Sequence, residues 1–187
     1  DIELSTQDIE QIMLWAQDPD IYNILISSIS PDIKGNENIK LAIAFQLFGG
    51  VSKKKPDGGR LRGEIHILLV TDPSCGKSQM MRYVARLAPR AVMAVGGGST
   101  AAGLTCSAVK SELDGSWTLE AGALVLADKG IAIVDEADKM NPQDRAAIHE
   151  ALEDGTVTTA KAGICATLQS RCSLLAAANP DKGRFNS

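Results

Sequence analysis

The chain has 187 residues, 44% hydrophobic and 22% charged, the length and balance of one globular domain able to bury a substantial core. A formal net charge of −4 excludes a protein that coats nucleic acid with a wholly basic surface, and three Phe, two Trp and two Tyr are too few for a base-stacking platform. No run of about 18 apolar residues exists to cross a membrane as a helix, and Asp1-Ile2-Glu3-Leu4-Ser5 lacks the basic and apolar regions of a signal peptide.

In chain order, Ser5 or Thr6 is placed to cap a first helix. Ile9, Ile12, Met13 and Trp15-Ala16 recur on one face of it at three- and four-residue steps. Asp18-Pro19-Asp20 breaks that helix. A second is predicted over Ile21–Ile29, ended by Ser30-Pro31. A third runs from about Asn36 to Phe48, with Ile39, Ile43 and Leu47 on one stripe and Gly49-Gly50 at its end. The segment from Lys53 to Arg60 reads as a turn-rich, solvated loop. Residues 1–60 are thus a helical part with a linker, and residues 61–187 form the core.

The core opens with Ile65-His66-Ile67-Leu68-Leu69-Val70, a short apolar run of the kind buried on both faces of a parallel sheet. A turn and a helix to about Ala88 follow, then a strand at Ala91–Val95 ending in Gly96-Gly97-Gly98. Ile131–Val134 and Ser173–Ala177 supply two more apolar strands. Strands alternating with helices predict a three-layer α/β domain, whose ligands bind at the carboxyl ends of the strands. Cys75, Cys106, Cys165 and Cys172 form no CxxC pair and no zinc spacing with histidine, so they read as buried or semi-buried thiols in a reducing compartment.

Three strand ends carry polar residues with a common purpose. After the first strand, residues 71–78 (Thr71-Asp72-Pro73-Ser74-Cys75-Gly76-Lys77-Ser78) match the phosphate-loop pattern G-x-x-x-x-G-K-S/T, except that Thr71 stands at the first Gly. The spacing suits the chemistry. Successive backbone N–H groups and the next helix N-terminus make a concave anion site. Lys77 adds charge toward the β- and γ-phosphates, and the Ser78 hydroxyl can ligate Mg²⁺. A missing Gly at 71 matters only where positive φ or close approach is needed, so weakened nucleotide binding is the most it predicts.

In residues 131–136, four apolar residues run into Asp135-Glu136, the pattern of a Walker B strand. Asp135 would hold the Mg²⁺ shell and Glu136 would orient the attacking water; the bland alternative is two acids capping the next helix. Asp135-Glu136-Ala137-Asp138 also spells the DEAD-box letters, but the phosphate loop is not of that type and no Ser-Ala-Thr follows. The third element is Asn179, after Ala176-Ala177-Ala178, whose amide can hold a water beside the γ-phosphate.

With these motifs in place the sequence resembles the AAA+ ATPase domain of minichromosome maintenance (MCM) replicative helicases, from Pro19 through Asn186. The resemblance is carried by His66–Val70 with Asp72-Pro73 and Lys77-Ser78-Gln79, by Trp117–Asp128, and by Asp135-Glu136 with Asp138-Lys139-Met140. Asp144-Arg145, Ile148–Ala151, Lys161–Ile164 and Ala176–Pro180 complete it. The words are closest to those of archaeal members, whose rings are homohexamers.

The resemblance implies a P-loop NTPase of the AAA+, ASCE type and an ATP- and Mg²⁺-dependent 3′→5′ DNA helicase motor encircling one strand. Asp72, Pro73, Ser74, Cys75, Gly76, Lys77, Ser78 and Gln79 would bind nucleotide, with Lys77, Glu136 and Asn179 catalytic. It also implies a helix-2 insert at about Thr100–Leu113, with Lys110 as a basic contact, and a presensor-1 hairpin at Gly155–Leu168. There the residues agree, since two β-prone runs flank a turn at Gly163, with Lys161 near its tip to meet DNA. Trp117 reads as a packing anchor and His149 as a packing or hydrogen-bonding residue. Lys34 replaces a commoner Tyr in the segment that contacts adenine in the family.

Departures are Thr71, Ser74 and Cys75 in the loop. The arginine finger and the lid belong downstream of Ser187, the zinc and DNA-binding domains belong upstream, and Gly183–Asn186 is not the finger. An intracellular location on DNA follows, in archaeal cytoplasm or a eukaryotic nucleus. The alternatives are a catalytically degenerate ring subunit or another helix-2-insert AAA+ machine.

Overall fold

The computed structural model describes residues 4–98, 101–111, 117–161 and 163–180, without the side chains of residues 60, 101, 102, 143 and 161. Its first part is helical: α1 (Thr6–Ala16), α2 (Ile21–Ser28) and α3 (Glu37–Phe48). The segment expected to be a loop then pairs as two short antiparallel strands, β1 (Lys53–Lys54) and β2 (Arg60–Leu61). The core follows as β3 (Ile67–Val70), α4 (Lys77–Leu87), β4 (Ala91–Val95), α5 (Ala101–Leu104), β5 (Cys106–Lys110), β6 (Trp117–Ala121) and α6 (Ala123–Leu126). It closes with β7 (Ile131–Asp135), α7 (Pro142–Asp154), β8 (Thr156–Lys161), β9 (Ile164–Gln169) and β10 (Ser173–Ala178).

Four strands form one parallel sheet in the order β3-β10-β7-β4. Leu68, Ala176, Val134 and Ala94 stand level across it, so the carboxyl ends of all four strands lie on one line. Alternate residues serve opposite faces, as the two-residue period of a strand requires. Ala132, Val134, Leu174 and Ala176 pack with Leu104, Leu124, Ile148 and Ala151 on one side. Ile131, Ile133, Leu175, Ala177 and Leu69 pack with Ile43, Met81 and Val84 from α3 and α4 on the other. That is the three-layer α/β arrangement, and it explains why β7 and β10 are almost wholly apolar. Full burial of side chains such as Ile133 and Leu175 stabilises by about 1.5–3 kcal/mol each.

Two buried polar side chains fasten the layers. Gln46 of α3 donates from Nε2 to the carbonyls of Ile65 (2.9 Å) and Leu174 (2.7 Å). Lys40 donates from Nζ to the carbonyls of Ser30 (3.2 Å) and Ile33 (2.6 Å), fixing the loop whose Ile33 side chain lies against Gly76.

Several expectations shift. Ser5 is the cap, in a reciprocal capping box with Asp8, but the apolar face of α1 stays outside, with Trp15 58% exposed. Ile65-His66 precedes β3, and His66 Nδ1 accepts the Leu174 amide at 3.1 Å. The insert after Gly98 includes a second strand, β6, paired with β5 so that Trp117 stands opposite Lys110; Trp117 is 49% exposed and anchors no core. His149 lies on the surface of α7, 4.0 Å from Glu153. Cys75 and Cys165 are exposed, while Cys106 and Cys172 are buried, and burial pushes the Cys172 thiol up to about 12. Gly183–Asn186 lies outside the described residues.

Candidate nucleotide site

Residues 71–76 connect β3 to α4 at the level edge of the sheet. Gly76 closes the loop in the left-handed region (φ 79°) directly before the first turn of α4, a conformation that suits glycine. The loop, the ends of β7 and β10, and the start of α4 enclose a cavity of about 380 Å³ lined by Pro73–Gln79, Asp135, Glu136, Asp138 and Ala177–Asn179. Every residue expected to bind nucleotide lines it except Asp72, whose carbonyl accepts a 3.3 Å bond from Lys77.

Lys77 is the hub. Its ammonium donates to the Thr71 carbonyl at 2.5 Å, to Asn179 Oδ1 at 2.8 Å and to the Ala178 carbonyl at 3.3 Å. The phosphate loop and the end of β10 are therefore joined through one cation. On the other side of Asn179, its backbone N–H donates to Asp138 Oδ1 at 3.0 Å, which links β10 to the turn after β7. Asp135 Oδ1 accepts the Glu136 amide at 2.9 Å. Glu136 itself sits at φ 54°, an uncommon conformation for a residue with a side chain. Its Oε1 accepts 2.7 Å from Lys139 Nζ, and that hydrogen bond holds the Lys139 ammonium above its usual range.

Gly96 explains how this turn fits. Its amide donates to the Asp135 carbonyl at 2.7 Å. A Cβ on Gly96 would stand 2.4 Å from the Glu136 carbonyl oxygen, so only glycine lets β4 approach the acidic pair so closely.

The residues expected to meet DNA lie elsewhere. Lys110 is exposed at the end of β5. Lys161 ends β8, opposite Ile164 and beside a turn with Gly163 at φ 79°; its side chain lies outside the described residues. Asp138, Gly96 and Lys139 are members of the site that motif reading missed. The three-glycine run after a strand was the available signal for Gly96.

The loop, Lys77, Ser78, Asp135, Glu136 and Asn179 thus line one cavity at the carboxyl edge of a parallel α/β sheet. A family model, the MCM P-loop domain, matches residues 8–187. The chain belongs to the MCM family. It is 52% identical over 185 residues to the minichromosome maintenance protein MCM of Saccharolobus solfataricus, covering 99% of this chain and 27% of that protein. With the DNA replication licensing factor mcm2 of Schizosaccharomyces pombe it shares 50% over 183 residues, 98% of this chain and 22% of the relative. With MCM5 of Oryza sativa subsp. indica it shares 53% over 172 residues, 92% of this chain and 24% of the relative. Archaeal and eukaryotic members are thus equally close, and identity does not bear out an archaeal type. The chain spans about a quarter of the length of these MCM relatives.

Proposed function

We propose that this MCM chain is the ATP-hydrolysing motor core of a ring-shaped 3′→5′ DNA helicase acting in DNA replication. The observation that supports it best is the hydrogen-bonded line from the Thr71 carbonyl through Lys77 and Asn179 to Asp138, with Asp135 and Glu136 beside it. In this reading the loop amides of residues 73–78 cradle the phosphates of ATP, and Lys77 exchanges its bonds to Thr71 and Asn179 for phosphate oxygens. Ser78 and Asp135 would hold Mg²⁺, which when bound supplies positive charge at the β- and γ-phosphate oxygens. Glu136 orients the attacking water, and the Asn179 amide bridges that water and the γ-phosphate.

Lys110 and Lys161 contact the phosphates of a single strand in the channel of a homohexamer. Two small charges repeated around a ring suffice to track DNA while the chain as a whole remains acidic. Replication factors among the relatives support that setting, on the DNA of an archaeal cell or a eukaryotic nucleus. The test is DNA-stimulated ATP hydrolysis and unwinding by the full-length protein, with Lys77→Ala and Glu136→Gln beside it. Both variants are expected to lose at least about a hundredfold in turnover. Turnover that survives Lys77→Ala sinks the assignment.

A further inference from the structure

We infer that Lys139 is a positioning residue for Glu136, holding its carboxylate in place for the water-orienting step. The inference rests on the role proposed for Glu136 and adds to it. Among the described residues, Lys139 Nζ is the one side-chain partner of that carboxylate, at 2.7 Å. The nearby cations are engaged elsewhere: Lys77 with Thr71 and Asn179, and Arg145 with the Asp138 carbonyl at 3.1 Å.

The backbone fixes both ends of the pair. Lys139 rides on the single 3-10 turn of residues 137–139, and its amide donates to the Glu136 carbonyl at 2.9 Å. Glu136 is locked at φ 54° under Gly96. Both side chains then lie over Gly97, where a Cβ would stand 3.4 Å from Lys139 Cδ and 3.9 Å from Glu136 Oε2. With side chains 53% and 40% exposed, the pair adds little to stability, as exposed ion pairs generally do. Its effect is geometric: it removes rotamer freedom from a long carboxylate that has to stand at a defined place.

The experiment measures kcat, ATP KM and nucleotide affinity of the full-length protein carrying Lys139→Ala, Lys139→Arg or, in parallel, Glu136→Gln. Lys139→Ala is expected to lower kcat about tenfold while KM and affinity stay within about twofold, and Lys139→Arg to restore most of the loss. An unchanged kcat in Lys139→Ala overturns the inference. So does a raised one, which would mean the pair holds the carboxylate back, and so does an equal loss in Lys139→Arg. If Glu136→Gln itself keeps turnover, the role given to Glu136 fails. If Glu136→Gln is inactive while Lys139→Ala is normal, only the role of Lys139 fails.

Discussion

At the scale of single residues, two of the departures in the phosphate loop have opposite consequences. Thr71, at the position where glycine is usual, adopts no left-handed backbone, so its side chain adds no backbone strain. Ser74 does, at φ 68°, and a side chain there is strained by roughly 1–2 kcal/mol. Ser74→Gly is therefore expected to raise the unfolding free energy by about 1 kcal/mol. Thr71→Gly is expected to lower it by about 0.5–1 kcal/mol, because it only adds freedom to the unfolded chain. Urea unfolding of the two variants side by side checks this, and a gain in Thr71→Gly would refute it. The letters of the loop and of Asp135-Glu136 were legible in the sequence because each answers a local demand of backbone or charge. Asp138 answers the Asn179 amide across the sheet and Lys139 a carboxylate one turn back, and no motif marks either; for Gly96, which answers the Glu136 carbonyl, the glycine run was the one signal.

At the scale of elements, the strands that build the site were the easiest to read. β7 and β10 are covered on both faces, so they appear as unbroken apolar runs. β6 was missed because Trp117–Ala121 belongs to a two-stranded hairpin that keeps one face near solvent. The join between β3 and β10 makes a pH-dependent prediction. His66 Nδ1 accepts the Leu174 amide, so the ring has to be unprotonated there. Burial foremost, and then the charge of Arg62, lower its pKa from 6.5. A group whose folded pKa is depressed contributes stability above the unfolded value and loses it as pH falls through the folded one. The midpoint of urea unfolding is thus expected to fall between about pH 7 and pH 5 in the parent chain, and to stay flatter in His66→Gln, whose amide oxygen can still accept. Asp128 does not blur that window. The Arg171 hydrogen bond holds its carboxyl below 3.8, so its contribution is lost only in stronger acid. Equal slopes in the two proteins would remove His66 from the account.

At the scale of the whole molecule, a net charge of −4 and few aromatics excluded a basic coat, but they left open a motor that places a few charges well. What composition could not show is how the sheet ends. Among the described residues β3 is an edge strand of the sheet, paired by β10, and the face it shares with β10 and β7 opens on a groove of about 660 Å³ lined by Leu68, Val70, Val134, Met140, Ile148 and Ala176 among others. Leu68 is 61% exposed and Val70 40%, so among the described residues this edge strand presents apolar side chains to solvent. Such an edge templates pairing with another strand, and a charged side chain placed on it blocks that approach. The 187-residue chain is expected to self-associate with rising concentration, and Leu68→Lys to suppress this, since it exchanges exposed apolar surface for a charge without opening the core. Sedimentation velocity over a concentration series measures the association, and urea unfolding should place the variant within about 0.5 kcal/mol of its parent. Met93 on β4, at the opposite edge, is 39% exposed, so Met93→Lys should act more weakly. Equal association in parent and Leu68→Lys would mean that contacts other than the β3 edge bring the copies together, with the exposed apolar face of α1 the next surface to charge.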